Sequence, residues 1–370
     1  MEHGGNIIKF SMEKGYKPFE ILDYSSNISP LGVPEKLWDI LSEANNWLSV
    51  YPDPDYNALR TALTVYSGAD TEKIVPGNGA AQIIHDTIRF INPNKTMLVV
   101  PTFSEYEKAL KTTNSQVEYF LNHQENGFTT CHFSLMELLD ETYDLLILCN
   151  PNNPTGSVIT REVMLQVLKH CSRIGCHVMI DEAFMDFLIN ENLYSVMPLI
   201  NDWNNLIVVR AFTKIFGIPG LRLGYGVYGN INIAEEYRQK MIPWSVNVYA
   251  EALKGFINSK DAFNYIFRVK EMVRAEKNQM YNEIMQMEAF RVFPSEANFL
   301  LIKIEEPTRF SVGELWNKLM EKKILVRDCS NFRGMPEGFF RIAIKKETEN
   351  QCLIDSLKSI NNAILYGRQR

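Results

Sequence analysis

The sequence predicts an α/β fold: a large domain with a mostly parallel sheet, then a smaller α+β domain. Three observations carry this expectation. Thr96–Val100, Leu145–Cys149, His177–Ile180 and Leu206–Val209 are short, continuous apolar runs bounded by polar or turn residues. Strands that alternate apolar and polar residues bury one face; unbroken apolar runs suit strands covered on both faces of a parallel sheet. Helical segments separate several of these runs, for instance residues 161–172, which is the alternation of a parallel α/β domain. After Pro243 the pattern changes, and a long Lys-, Glu- and Met-rich amphipathic stretch precedes shorter strand candidates.

Taken in order, the opening through Pro34 is rich in Gly, Ser, Asn and Pro and reads as an arm with little regular structure. Leu37, Ile40, Leu41 and Ala44 recur at helical spacing, predicting a helix over 35–47. The two prolines in Tyr51-Pro-Asp-Pro-Asp-Tyr56 end it. Residues 73–79 (KIVPGNG) lead into a helical stretch over 80–91. Beyond Pro243, the amphipathic stretch covers about 250–287, strand candidates lie at Phe299–Ile302 and Phe340–Ile344, and a closing helix spans 351–364. The expected division is an arm, 1–34, joining the small domain; a large domain, 35–245; and a small domain, 246–370.

The chain has 370 residues, 46% of them hydrophobic and 22% charged, with a net charge of -6. That length exceeds what one core usually supports, and the acidic balance argues against nucleic-acid binding. No apolar stretch is long enough for a membrane span, and the N-terminus lacks a signal-peptide pattern, so a soluble cytoplasmic protein is expected. The six cysteines are scattered without a CxxC pair, which argues against a disulfide framework. Cys176 and His177 would point to opposite faces of a strand, so no metal site is expected there.

In open α/β sheets ligands sit beyond the carboxyl ends of the strands. The runs deliver distinctive polar residues there: Asn150–Gly156 (NPNNPTG), Asp181–Phe184 (DEAF) and Arg210–Lys214 (RAFTK). Gly79, Ala80 and Ala81, small residues where a helix begins, leave backbone N–H groups able to hold an anion, and Arg222 could add a fixed charge. These residues suit one chemistry. The Lys214 amine can form a Schiff base with an aldehyde cofactor, while Asp181 keeps a pyridine nitrogen protonated so that the ring accepts electrons. Asn153 can donate to the ring's phenolic oxygen, and Phe103 can cover its face. An isolated lysine after a strand is usually a solvated loop charge, and Asp-Glu is often a helix cap; three such signals at one sheet edge are not explained that way.

NPNNPTG, DEAF and Thr213-Lys214 followed by Gly217–Tyr225 (GIPGLRLGY) resemble the signatures of fold-type I pyridoxal-5'-phosphate enzymes, the aspartate-aminotransferase type. Within that family the chain is most similar to histidinol-phosphate aminotransferases and to L-threonine-O-3-phosphate decarboxylases of cobalamin biosynthesis. The outer features, His3–Asn6 (HGGN), Asp23–Gly32 (DYSSNISPLG), Tyr51–Asp53 (YPD) and Met241–Asn247 (MIPWSVN), resemble the decarboxylases.

The resemblance implies that Lys214, Asp181, Asn153, Arg222, Gly79, Ala80, Ala81, Phe103 and Thr213 hold the cofactor, with Lys214 and Asp181 catalytic. It implies substrate contacts from His3, Gly4, Asn27, Asn153, Arg327 and Arg341. It also makes Tyr51 a donor to the cofactor phosphate of a neighbouring subunit, hence a homodimer with shared sites. Two positions depart from common patterns. Ala211 stands where many relatives have a phosphate-binding serine, and Phe184 where the aminotransferases have tyrosine. The implied reaction is decarboxylation of threonine phosphate to 1-amino-2-propanol phosphate. A histidinol-phosphate-type aminotransferase, a decarboxylase of serine phosphate and a non-catalytic regulator are the competing readings.

Overall fold

The computed structural model describes residues 5–366. Its strands are β1 (Leu22–Asp23), β2 (Ile74–Asn78), β3 (Lys95–Val100), β4 (Gln116–Leu121), β5 (Leu145–Cys149), β6 (His177–Asp181), β7 (Leu206–Ala211), β8 (Leu223–Tyr228), β9 (Phe290–Val292), β10 (Phe299–Ile304), β11 (Ile324–Leu325), β12 (Arg327–Asp328) and β13 (Phe339–Ala343). Seven of them form one sheet in the order β2-β8-β7-β6-β5-β3-β4. Only β8 runs against the others, pairing antiparallel with both β2 and β7.

The continuous apolar runs have the anticipated cause. Leu146, Leu148, Val178, Ile180 and Val208 pack into a core on one face of the sheet. Their neighbours Leu145, Ile147, Met179, Ile207 and Val209 pack into a second core on the other. Successive side chains alternate faces, so a strand covered on both sides must be apolar at every position.

A four-stranded antiparallel sheet, β12-β13-β10-β9, follows. Leu300, Ile302, Phe340 and Ile342 join residues of the helices Val312–Glu321 and Glu347–Tyr366 in its core. The arm reaches this sheet's neighbourhood through β1, which pairs parallel with β11.

Several expectations change. The arm is not irregular throughout: Ile7–Lys14 is helical, with the Asn6 side chain accepting from the Lys9 N–H and Gly15 closing the helix at φ 70°. The stretch over 250–287 is not one helix but Val248–Ala252, a short turn of helix at Leu253–Gly255, and Lys260–Met285. Ser259, accepting from the Ala262 N–H, starts the last as an ordinary N-cap. Strands β2, β4 and β8 were not apparent from apolar runs. Pro76 interrupts the pattern in β2, which tolerates it because β2 is a sheet edge. β4, the opposite edge, is only partly covered, and β8 carries two glycines. No helix among the described residues is long and apolar enough to cross a membrane.

Candidate active site

The parallel strands end at one edge, and the singled-out side chains gather there. Asp181 closes β6, and β7 runs through Ala211 into the short helix Phe212–Ile215 that carries Lys214. The two strand ends are tied by a buried ion network that the sequence reading did not anticipate. Arg210 lies 2.7 Å from Glu182, 3.2 Å from Asp186 and 3.0 Å from Glu191. Buried charges persist when paired in this way, and the network fixes the backbone on either side of Asp181 and Lys214. Its only sequence signal was an arginine and a glutamate adjoining the residues of interest.

Asp181 is buried, and both of its carboxylate oxygens are engaged. Oδ1 accepts from the Ala183 N–H at 2.9 Å, and Oδ2 accepts from the Tyr106 hydroxyl at 2.6 Å. Burial raises its pKa, opposed by Tyr106, the Ala183 N–H and the Lys214 charge. The Lys214 ammonium is lowered to about 8, first by burial and then by Arg222, with Arg341 adding to the effect and Asp181 opposing it. Lys214 is therefore freed of its proton more easily than an ordinary lysine, as a nucleophile or proton acceptor requires.

A cavity of about 350 Å³ opens over Lys214, with Asn27, Phe103, Asn153, Phe184, Arg327 and Arg341 in its wall. The arm is held there partly by its backbone, since the Ser29 N–H donates to the Lys214 carbonyl at 2.9 Å. Arg327 and Arg341 face each other across the β12–β13 ladder. Arg341 is buried, donates through Nη2 to the Ser25 carbonyl at 2.8 Å, and lies 5.2 Å over the Phe299 ring. It also donates to Asn153 Oδ1. With the Asn27 amide turned so that its oxygen faces the guanidinium, Arg341 Nη1 and Nε donate to it at 3.1 and 3.3 Å. Each asparagine thus keeps its NH2 for another acceptor. Among the described residues no carboxylate lies within ion-pair distance of Arg341, and burial with the nearby Arg327 lowers its pKa to about 10. Arg327 donates through Nη2 to Asn331 Oδ1 at 2.7 Å and packs over Phe332.

Near Lys214 begins a helix whose first turn could hold an anion. The helix Gly79–Ile91 begins without a side-chain cap, so its first N–H groups, those of Gly79, Ala80 and Ala81, have no intrahelical partner. Gly79 has φ 77°, and a Cβ there would meet the Arg222 guanidinium at 2.3 Å. Arg222 itself adopts φ 64°, uncommon for a residue with a Cβ. The cradle, the adjacent amine, the buried carboxylate and the Phe103 ring fit a phosphorylated pyridine aldehyde. Phe184, half-facing the same cavity, packs edge-on against Phe299 at 5.2 Å. Thr213 and Ala211 are buried beside Lys214.

Tyr51 is not in this cavity. It is 76% exposed and lies against Trp244 with ring centroids 4.7 Å apart. His3 and Gly4 lie outside the described residues.

The family model of class I and II aminotransferases matches residues 20–357. A Caldanaerobacter subterraneus protein assigned as a threonine-phosphate decarboxylase is 39% identical over 97% of this chain and 94% of its own length. The threonine-phosphate decarboxylase of Salmonella typhimurium is 31% identical over 98% of this chain and 97% of its own. Among solved structures, the histidinol-phosphate aminotransferase of Clostridium acetobutylicum superposes with a TM-score of 0.86 at 32% identity, covering 93% of this chain and 100% of that one.

Proposed function

Because the chain belongs to the class I and II aminotransferase family, whose cofactor is pyridoxal 5'-phosphate, we propose that it decarboxylates L-threonine O-3-phosphate to (R)-1-amino-2-propanol O-2-phosphate. The observation that carries this reading is the arginine pair. Arg341, buried without a carboxylate partner among the described residues, stands opposite Arg327 in the wall of the cavity that holds Lys214. A substrate with both a phosphate and a carboxylate offers an anion to each; histidinol phosphate offers one. The names of the Caldanaerobacter and Salmonella relatives support the same choice. The resemblance further assigns the product to the nucleotide-loop linker of cobalamin.

Each residue then has a task. Gly79, Ala80, Ala81, Arg222 and Thr213 would hold the cofactor phosphate, Phe103 would cover the ring, and Lys214 would carry the aldehyde carbon covalently. When bound, the cofactor supplies an electron-accepting ring conjugated to the substrate Cα. Asp181 holds the proton on the ring nitrogen. Arg327 and Arg341 clamp the two anions, and His3, Gly4, Asn27 and Asn153 complete the grip. The clamp decides which bond at Cα stands perpendicular to the ring and breaks. Loss of CO2 leaves Cα short of one proton, and the Lys214 ammonium is the acid beside it that returns one.

The active unit in this reading is a cytosolic homodimer. Tyr51 and Trp244 are exposed and in ring contact, and their sequence neighbours Trp47, Leu48, Val50 and Ile242 are exposed as well, apolar surface of the kind that marks an interface. Tyr51 would reach the partner's cofactor phosphate across it. The arm, large and small domains would divide near residues 34 and 245.

The test is to incubate the holoenzyme with threonine phosphate and no 2-oxo acid. CO2 release is expected, with little glutamate formed from histidinol phosphate and 2-oxoglutarate. Brisk transamination of histidinol phosphate with threonine phosphate left intact would replace this reading by the aminotransferase one. Serine phosphate, run alongside, measures the part played by the β-methyl.

A further inference from the structure

The Tyr106 hydroxyl is fully buried on the short helix Glu105–Leu110, three residues beyond Phe103, and donates to Asp181 Oδ2 at 2.6 Å. We propose that Tyr106 is a positioning residue for the cofactor's ring nitrogen: by donating to Asp181 it keeps that carboxylate weakly basic, so that the shared proton stays on the ring. The inference rests on the cofactor and not on the identity of the substrate.

The physical problem is one of competition for a proton. A carboxylate buried in an apolar sheet edge becomes more basic, because burial disfavours its charge. Left alone, such a group would draw the proton off a pyridinium and leave a neutral acid against a neutral ring. The ring would then accept electrons poorly. A donor on the carboxylate stabilises its charged form and opposes this transfer. Among the described residues two donors reach the Asp181 carboxylate, Tyr106 on Oδ2 and the Ala183 N–H on Oδ1. The second is backbone, so Tyr106 is the side chain that sets the balance.

The groups around Asp181 are few. Tyr106 is itself held protonated by burial and the adjacent Asp181 charge, so it acts as a donor throughout the working pH range. Cys149 lies beside the same hydroxyl, and burial pushes its thiol up to about 12, leaving it neutral. The Lys214 charge also favours the ionised form of Asp181. The Tyr106 ring meets Phe103 in a T-shaped contact with centroids 5.7 Å apart, so the ring that would cover the cofactor face and the hydroxyl that tunes its nitrogen are carried by one short segment.

The experiment uses holoenzyme reconstituted with cofactor labelled with ¹⁵N in the ring. Tyr106→Phe keeps the ring contacts and removes only the hydroxyl. Its ¹⁵N resonance should move toward that of an unprotonated pyridine, and the cofactor should dissociate about tenfold more readily, the scale of one hydrogen bond to a charged group. An unchanged ¹⁵N resonance in a folded, cofactor-bound Tyr106→Phe protein overturns the proposal. If that variant fails to hold cofactor, incorporation of 3-fluorotyrosine at position 106 decides, since it keeps the hydroxyl and makes it a stronger donor. Its ¹⁵N resonance should then move the opposite way, toward full protonation or no further than a wild-type signal already fully protonated. A shift toward the unprotonated position there also overturns it.

Discussion

Replacing Gly224 by alanine should loosen the cofactor while leaving the chain folded. A Cβ at this position would meet the Ala80 backbone nitrogen at 2.3 Å, the Gly79 carbonyl carbon at 2.6 Å and the Ala80 Cα at 2.9 Å. Ordinary contact begins near 3.4 Å, so the closest approach is short by 1.1 Å (3.4 − 2.3). All three atoms are backbone, and no rotamer change relieves them. Gly224 cannot retreat either, because β8 is hydrogen-bonded to β2 on one side and β7 on the other. The N-terminus of the helix Gly79–Ile91 must therefore move, and with it the N–H groups proposed to hold the phosphate. Overpacking of this kind costs about 1–3 kcal/mol. Falling on the cofactor-bound state, that is roughly a 5- to 150-fold rise in the dissociation constant. Equilibrium titration of apoenzyme with cofactor measures it. Gly220, where a Cβ would meet nothing within 4 Å, supplies the control, and Gly220→Ala should bind as the wild type does. Wild-type affinity in Gly224→Ala would refute the assignment of the cradle, whatever happened to Tm.

Three further outcomes follow from the same site. Arg341→Ala should lower kcat/KM for threonine phosphate by about 100-fold or more, since a bound anion loses both orientation and a charge-assisted bond; steady-state kinetics that change by less than threefold contradict the clamp. Lys214 is lowered to about 8 from 10.5, so between those pH values the unfolded chain holds a proton that the folded chain does not. Folding then carries the full penalty below about pH 8 and loses it by about 10.5. Apo Lys214→Met should accordingly be more stable than the apo wild type at pH 7, with the difference shrinking as pH rises through that window in denaturant titrations; a difference independent of pH speaks against the shift. Tyr51→Phe should weaken cofactor binding without changing the mass in solution, and a wild-type protein that is monomeric yet fully active at assay concentration would exclude the shared site.

Much of this was legible in the sequence because burial on two faces leaves a plain signal. The runs ending at Cys149, Ile180 and Val209 are apolar at successive positions for that reason, and the polar residues that follow them fall at the ligand edge. The helix that starts at Gly79 was legible through its glycine and the pattern after it. What was hidden depends on contacts between distant segments. Tyr106 reads locally as one aromatic in an ordinary helix, and only the fold brings its hydroxyl to Asp181, 75 residues away. The Arg210 network likewise joins a residue of β7 to carboxylates that follow β6. Edge strand β4 lacked the double burial that marks the central ones, Pro76 and Gly77 broke the apolar run of β2, and the helix Ile7–Lys14 was masked by the glycines and serines around it. The arginine pair was found through the resemblance rather than through spacing, since nothing local says that Arg327 and Arg341 lie opposite each other.

The most direct test of the account is mass spectrometry of the product formed from threonine phosphate in D2O, with the substrate carboxyl carbon labelled with ¹³C. Decarboxylation predicts labelled CO2 and an amino alcohol phosphate that keeps its nitrogen and its original Cα hydrogen, with one solvent deuterium added at that carbon. A product that retains the labelled carboxyl carbon, or one that has lost its nitrogen to a 2-oxo acid acceptor, would contradict the proposed reaction.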